Sequence, residues 1–98
     1  MSSSNPNRHQ CELCGQVRFL TRHHLIPRKL HGRKKTRKQF SRTERQQCIL
    51  ICRICHDGIH SLYDEKTLAK NFSTIESLQQ DQNVSRHVAW SARQKVKI

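Results

Sequence analysis

The chain has few large apolar side chains and few acidic ones. Its 98 residues include one Trp, one Tyr and three Phe, and 7 Asp and Glu stand against 19 Lys and Arg. A chain this small and this polar buries a thin core, so a bound metal is a plausible means of holding the fold together. The formal net charge of +12 indicates a polyanionic partner.

Long apolar runs are also missing. No stretch of about 18 apolar residues is present, so no membrane-spanning helix and no membrane partner are expected. Residues 1–10 lack the apolar segment of a secretory signal and are predicted to form a flexible tail. The expected location is therefore the cytoplasm, a reducing compartment in which cysteines more often bind metals than form disulfides.

Four of the five cysteines form two pairs with the same spacing. Cys11 and Cys14 make one Cys-x-x-Cys pair, and Cys52 and Cys55 make another further along the chain. Two such pairs predict a tetrahedral zinc site with four cysteine ligands. Four thiolates leave zinc no open position, so we interpret this site as structural. Cys48 is interpreted as a small core residue at the start of a buried strand.

Four of the seven histidines also occur in two pairs. His23 and His24 are adjacent in a predicted strand, where side chains alternate, so they must face opposite sides. His56 and His60 follow the second cysteine pair and would lie on one face of a helix, with Cβ atoms about 5–6 Å apart. A shared zinc would bring this helix beside the strand. The alternative is coincidence, with His56 and His60 as residues of no special function.

Residues 28–46 carry nine positive charges and one negative charge. Gly32 and the lack of apolar periodicity predict a loop or a poorly ordered insertion. We interpret the segment as an arm that grips phosphates, rather than as a merely solvated loop, because its basic density far exceeds that of the rest of the chain. The residues assigned to nucleic-acid binding are Arg28, Lys29, Arg33, Lys34, Lys35, Arg37 and Lys38.

Residues 61–98 are predicted to form helices that support the rest of the fold. Asp64 is expected to cap a short helix, and Ser73–Glu76 is typical of a capping box that opens the next one. Trp90 is expected in the core. A last amphipathic helix is predicted from apolar residues that recur every four positions, namely Val84, Val88, Ala92 and Val96.

The order of these motifs resembles the ββα-metal finger of HNH endonucleases. The two Cys-x-x-Cys pairs are similar to those of zinc-containing members, and residues 50–60 are similar to small stand-alone and phage-type HNH proteins. The resemblance covers roughly residues 11–60. It implies an α+β fold in which a ββα-metal finger is held by the four-cysteine zinc site, within a single domain of residues 11–98. Residues 28–46 would occupy the variable loop of the family.

The resemblance also implies a role for each histidine. His24 matches the general base, His23 matches the first metal ligand, and His56 and His60 match the two helix ligands of a catalytic divalent cation. Gln47 stands where the family has an asparagine that bonds backbone across the ββ loop and helps to orient the base. Ligand type leaves Mg, Mn, Ni and Zn open for this cation, since imidazole favours transition metals whereas phosphate and water can recruit Mg.

The implied function is metal-dependent hydrolysis of DNA, by nicking or by double-strand cleavage. No base-reading element is evident, so low sequence specificity is expected. A monomeric bacterial protein, or a phage protein in its host's cytoplasm, fits this interpretation. The alternatives are a non-catalytic zinc-stabilised module that binds nucleic acid and a nuclease subunit of a larger machine, such as a phage packaging complex. A simple binding module does not need the histidines.

Overall fold

The computed structural model describes residues 8–95. Its strands are β1 (Arg8–Gln10), β2 (Val17–His24) and β3 (Cys48–Cys52). A single 3-10 turn spans Arg28–Leu30. The helices are α1 (Lys34–Gln39), α2 (Arg42–Gln46), α3 (Arg53–Leu62), α4 (Glu65–Asn71), α5 (Ile75–Gln80) and α6 (Gln82–Ala92). The predicted α+β fold class is confirmed.

The three strands form one antiparallel sheet in the order β1-β2-β3. Thr21 and His23 of β2 lie opposite the buried residues Ile51 and Ile49 of β3. Side chains alternate along a strand, so these four share the face that packs against α3. His24, paired with Cys48, belongs to the other face. The adjacent histidines are thus separated as the strand prediction required.

The core begins beside the cysteines and continues to the C-terminal helices. Ile51 of β3, Ile59 of α3, Leu68 of α4, Leu78 of α5 and Val84 of α6 are each at most 1% exposed. Burying one such side chain stabilises the fold by about 1.5–3 kcal/mol. The helices therefore pack against the sheet and α3 mainly through this cluster.

Helices α3 and α6 approach each other closely at Gly58. A Cβ at this position would overlap the ring of His87. The ring is held in place because its Nε2 lies 2.8 Å from the carbonyl oxygen of Ile54. Glycine is therefore favoured here by the contact with the His87 ring, and not by a special backbone conformation.

The predicted flexible tail is wrong for residues 8–10. These residues form β1 and pair with residues 17–19 of β2. The turn between the strands contains Gly15 at φ 78°, in the left-handed region that glycine adopts without steric cost. The turn brings the two strands side by side, so their backbones complete each other's hydrogen bonds. Residues 1–7 of the predicted tail lie outside the described residues.

The predicted loop over residues 28–46 is also wrong, because α1 and α2 lie within it. Helix α2 begins with a capping box: the Glu44 N–H donates to Ser41 Oγ at 3.1 Å, and the Ser41 N–H donates to Glu44 Oε1 at 2.9 Å. Leu30 is buried against Ile26, and Phe40 packs on the same small cluster. Helices of five and six residues are too short to show a clear apolar periodicity in the sequence.

The C-terminal helices follow the prediction closely, apart from one cap and one side chain. The Asp64 carboxylate accepts from the Thr67 N–H at 2.8 Å and caps α4 as expected. Helix α5 is capped by Thr74, one residue later than predicted. Trp90 is 48% exposed, because Val84 and Val88 occupy the inner face of α6 and Trp90 lies about 200° around the helix from Val88. Val96 lies outside the described residues.

No helix within residues 8–95 combines the length and the apolar character needed to cross a bilayer.

Candidate metal centres

The four cysteines of the two pairs converge where β1 ends and α3 begins. All four sulfur atoms lie within 4.8 Å of one another. The Cys11 and Cys55 sulfurs are 3.9 Å apart, and the Cys14 and Cys52 sulfurs are 3.8 Å apart. In a tetrahedral site with Zn–S bonds of about 2.3 Å, sulfur atoms are about 3.8 Å apart. The predicted clustering is confirmed, and the donor set fits zinc.

Backbone N–H groups point at the Cys11 sulfur. It accepts from the N–H groups of Leu13 and Cys14 at 3.4 Å each, and from that of Cys52 at 3.3 Å. Hydrogen bonds of this kind favour the thiolate form. The turn after Cys11 is closed by a bond of 3.0 Å from the Gly15 N–H to the Cys11 carbonyl. The backbone by itself therefore favours a charged sulfur at this position.

The sulfurs also constrain one another's protonation. The Cys11 thiolate is stabilised by a hydrogen bond with Cys55, which lowers the pKa of Cys11 to about 4, while the same contact raises the pKa of Cys55. Burial raises the pKa of Cys14. Four sulfurs packed this closely can all be ionised only when a cation compensates their charge. Zinc is such a cation, and four cysteine sulfurs are a donor set typical of structural zinc sites.

Arg18 is the functional neighbour that the sequence did not reveal. It is only 3% exposed, and its guanidinium donates to the Cys52 sulfur at 3.3 Å and to the Cys14 sulfur at 3.6 Å. The same guanidinium donates to the Ser91 carbonyl at 2.8 Å and the Gln94 carbonyl at 2.7 Å. Four thiolates around Zn²⁺ would carry a net charge of −2, and Arg18 is placed to offset part of it. It also ties the end of α6 to the site.

Three histidines form a second cluster between β2 and α3. The ligand nitrogens of His23, His56 and His60 all lie within 4.8 Å of one another. Their ring centroids are 5.2 Å apart for His23 and His56, 5.4 Å for His23 and His60, and 4.9 Å for His56 and His60. The strand and the helix therefore bring together the three residues expected to bind the catalytic cation.

His23 has a buried ring without a hydrogen-bond partner. The residue is 1% exposed, and neither ring nitrogen has a partner within residues 8–95. An unsatisfied buried polar group costs about 1–3 kcal/mol. Burial, followed by the effects of His56 and His60, lowers the pKa of His23 to about 4, so the ring is neutral near pH 7. A neutral imidazole facing two others fits a divalent cation.

Thr21 orients His56. Its hydroxyl donates to the Ile51 carbonyl at 2.9 Å and lies 2.7 Å from His56 Nδ1. Because the hydroxyl proton points to Ile51, the threonine oxygen accepts from the His56 Nδ1–H, which leaves Nε2 available to bind a cation. Thr21 precedes His23 by two residues and shares its face of the strand. Strand alternation could therefore have identified it from the sequence.

His24 lies on the opposite face of β2 from His23, but it lines one cavity together with His56 and His60. The cavity measures about 230 Å³. Burial, followed by the charge of Arg28 and by His31, lowers the pKa of His24 and favours its neutral form. The lining residues are Arg22, His24, Pro27, Arg28, Lys29, His56, His60 and Glu65. The expected base and two of the expected ligands thus face one space.

Gln47 joins the two strands through its backbone. Its carbonyl accepts from the Leu25 N–H at 3.2 Å, which links the end of β2 to the start of β3. Its side chain is exposed. This main-chain bond continues the pairing of β2 and β3 one step beyond His24 and Cys48.

The seven basic residues expected to contact nucleic acid are distributed over several surfaces. Arg28 and Lys29 line the His24 cavity, where Lys29 Nζ lies 3.8 Å from Glu65 Oε1. Lys34 and Lys38 are exposed on α1. Arg37 lines a separate cleft next to His31, and Arg33 and Lys35 line another cleft beside α4.

Comparison with known protein families supports the same assignment. The family model described as HNH endonuclease matches residues 11–62, which is more than half of the chain. Comparisons with curated proteins and with solved structures give no match. The matched region contains both cysteine pairs, β2, β3 and the histidine-bearing helix α3. The chain belongs to the HNH endonuclease family.

Proposed function

We propose that this protein is a metal-dependent endonuclease that hydrolyses phosphodiester bonds of DNA. The observation that carries the proposal is that His24 lines the same cavity as His56 and His60. A general base and a cation site must both reach the same phosphate, and a shared cavity provides this.

His23, His56 and His60 would hold the catalytic cation. When bound, the ion stabilises negative charge on the scissile phosphate and on the leaving 3′-oxygen. Three neutral imidazoles leave the positive charge of the cation uncompensated, and they are compatible with Mg, Mn, Ni or Zn. Thr21 supports this role by fixing the tautomer of His56.

His24 would act as the general base. Its neutral imidazole takes a proton from a water molecule, the water oxygen bonds to phosphorus, and the bond to the 3′-oxygen breaks. The 3′-oxygen then takes up a proton from solvent. Gln47 would assist by keeping β2 and β3 together next to the base, through its carbonyl bond to the Leu25 N–H.

The four cysteines would hold a structural zinc. The sulfur–sulfur distances of 3.8 and 3.9 Å support this assignment. The cation would join the hairpin of β1 and β2 to the start of α3, and would thereby set the distance between His23 and the helix histidines.

The substrate proposed is DNA, bound through its backbone with low sequence specificity. A net charge of +12 and the basic residues around the His24 cavity support attraction to phosphates. We propose that the protein acts as a monomer in the cytoplasm.

Plasmid cleavage tests the proposal. Supercoiled plasmid would be incubated with the protein and each divalent metal, and with the variants His24→Ala, His23→Ala and His9→Ala. His24→Ala should lower turnover by roughly 10²–10⁴-fold while metal affinity, measured by calorimetry, stays nearly unchanged. His23→Ala should lower metal affinity, with partial rescue of cleavage by excess metal.

The control variant, His9→Ala, removes an exposed histidine on β1 and should cleave like the wild type. If His24→Ala abolishes metal binding while His23→Ala does not, the two roles are reversed. If the wild type binds DNA but cleaves it with none of the metals, the protein is instead a non-catalytic binding module.

A further inference from the structure

A cleft of about 450 Å³ lies between the 3-10 turn and helices α1 and α2. It is lined by His31, Arg37, Arg42, Arg45 and Gln46, and we call it the arginine cleft. We propose that the arginine cleft binds a backbone phosphate of the DNA strand close to the phosphate that is cleaved. This inference rests on the proposed function and adds a binding site to it.

The cleft adjoins the proposed catalytic base. The ring of His31 lies 6.0 Å from the ring of His24, centroid to centroid. His31 is fixed in this position because its Nε2 lies 2.7 Å from the Ile26 carbonyl oxygen. A strand carries one phosphate for about every 3.4 Å of helix axis. A strand with one phosphate in the His24 cavity therefore has another within reach of the arginine cleft.

Two of the arginines are held in orientations that leave their binding groups available. Arg37 Nε donates to the His31 carbonyl at 3.3 Å, and Arg45 Nε donates to the Ser41 carbonyl at 3.3 Å. These bonds engage only Nε, so the two terminal nitrogens of each guanidinium can still donate to a ligand. The planar guanidinium binds phosphate oxygens through two parallel hydrogen bonds, and a pre-oriented one loses less entropy on binding.

Among residues 8–95, no carboxylate lines the cleft. The acidic residue of α2 is Glu44. Its carboxylate is already engaged, because it accepts from the Ser41 N–H in the capping box. The two side-chain ion pairs found within residues 8–95 are Lys29–Glu65 and Arg53–Asp57, and neither involves an arginine of the cleft. Three guanidinium groups without a carboxylate partner repel one another, and an anion relieves this repulsion.

The chemistry of the lining suits an oxyanion, and the proposed DNA substrate supplies one in each backbone phosphate. Three guanidinium groups and an amide offer many N–H donors and little apolar surface, which suits an oxyanion. The contact made this way is with the backbone and carries no sequence information. The cleft should therefore fix the register of the strand at the His24 cavity while leaving the low sequence specificity unchanged.

DNA binding by paired variants tests the cleft directly. Arg42→Ala/Arg45→Ala removes two arginines of the cleft, and Arg86→Ala/Arg93→Ala removes two arginines on or beside α6 that do not line it. Both pairs would be made in a His24→Ala background, without added divalent metal, so that binding is measured apart from cleavage. The probe is a fluorescein-labelled duplex of random sequence, followed by anisotropy over a range of NaCl concentrations.

The cleft pair should bind the duplex roughly 10-fold more weakly at moderate salt, and its log–log salt dependence should flatten by about 0.9 for each phosphate that is no longer bound. The control pair should keep most of the affinity and the slope. Arg42→Lys/Arg45→Lys keeps the charge but not the fork of donors, so it should restore the salt slope and only part of the affinity. Unchanged far-ultraviolet circular dichroism would verify the fold of each variant.

The possible outcomes separate this inference from the proposed function. Wild-type cleavage combined with equal binding by the cleft and control pairs would overturn the cleft and leave the function standing. An equal loss in both pairs would mean that total charge alone matters, and would also overturn it. If the wild type cleaves nothing but only the cleft pair loses affinity, the cleft stands and the proposed function fails.

Discussion

At the scale of single residues, each candidate metal centre depends on a neighbour that binds no metal itself. Arg18 donates to two of the four cysteine sulfurs, and Thr21 fixes the ring of His56. Both lie on β2, the strand that also carries His23 and His24. One strand thus contributes to the four-cysteine site, the histidine site and the proposed base. Partners of this kind often matter nearly as much to a metal site as the ligands themselves.

Thr21→Val tests the positioning role. Valine keeps the shape of threonine but removes the hydroxyl that accepts from His56 Nδ1, so the histidine loses its fixed tautomer. We expect divalent-metal affinity at the histidine site to fall about 10–100-fold, the usual effect of losing such a partner. Calorimetric titration would measure this affinity, with circular dichroism as a check on the fold.

Two further variants serve as a rescue and a control for the Thr21→Val measurement. Thr21→Ser restores a hydroxyl and should recover most of the affinity. Thr43→Val makes the same chemical change at an exposed position on α2 and should bind metal like the wild type. Equal metal affinity for Thr21→Val and the wild type would mean that the hydroxyl does not orient the ligand.

At the scale of elements, α3 carries the most constraints for its length. Its first turn follows Cys52 and contains Cys55 and His56, its last turn holds His60, and it contacts α6 at Gly58. The helix therefore has a fixed position relative to the sheet on one side and α6 on the other. Small displacements of α3 would move the helix histidines away from His23.

Gly58→Ala tests the contact between α3 and α6. Alanine favours a helix by up to about 1 kcal/mol over glycine, but its Cβ would overlap the His87 ring. Because that ring is bonded to the Ile54 carbonyl, we expect a net loss of about 1–3 kcal/mol in the free energy of unfolding. Urea denaturation of the zinc-bound protein would measure it.

The double variant supplies the control. Gly58→Ala combined with His87→Ala removes the overlap, so the two substitutions should be strongly non-additive, and the double variant should be more stable than the sum of the two single effects predicts. A stabilised Gly58→Ala single variant would show that the His87 ring moves aside without cost.

Local patterns explain which elements could be predicted. The strand β2 is predicted by alternating side chains, β3 by a short apolar run that begins at Cys48, and α3 by the four-residue spacing of His56 and His60. The capping box of Ser41 and Glu44 is also a pattern of residues close in sequence. It could have identified the start of α2, which apolar periodicity does not reveal. The contact of Arg18 with Ser91 joins positions 73 residues apart. No pattern in the sequence distinguishes this arginine from the other basic residues.

At the scale of the whole molecule, the cysteine cluster connects parts of the chain that are distant in sequence. Cys11 and Cys14 lie in the β1–β2 turn, Cys52 and Cys55 lie at the start of α3, and Arg18 and Ser91 extend the network to α6. The Cys55 and Ser91 side chains are 3.3 Å apart, Sγ to Oγ. The sheet, the histidine helix and the last helix all meet at this point.

We therefore expect the fold to depend on zinc. Structural zinc sites contribute about 10–16 kcal/mol of binding free energy, which is comparable to or larger than the stability of about 5–15 kcal/mol typical of a whole domain. Removing zinc with a strong chelator, or replacing Cys11 with serine, should thus unfold the protein. Circular dichroism would show the loss of helix, and elemental analysis would show one zinc fewer per chain in Cys11→Ser.

Cys48 provides the matched control, because its side chain is half-buried and lies outside the four-sulfur cluster. Its thiol donates to the Gln46 carbonyl at 3.4 Å, a bond that a serine hydroxyl can also make. Cys48→Ser should therefore keep its zinc and its fold, while the same substitution at Cys11, Cys14, Cys52 or Cys55 should lose both. A folded, active preparation without zinc would contradict the structural role. Equal unfolding of Cys48→Ser would mean that the sensitivity reflects thiol packing rather than metal binding.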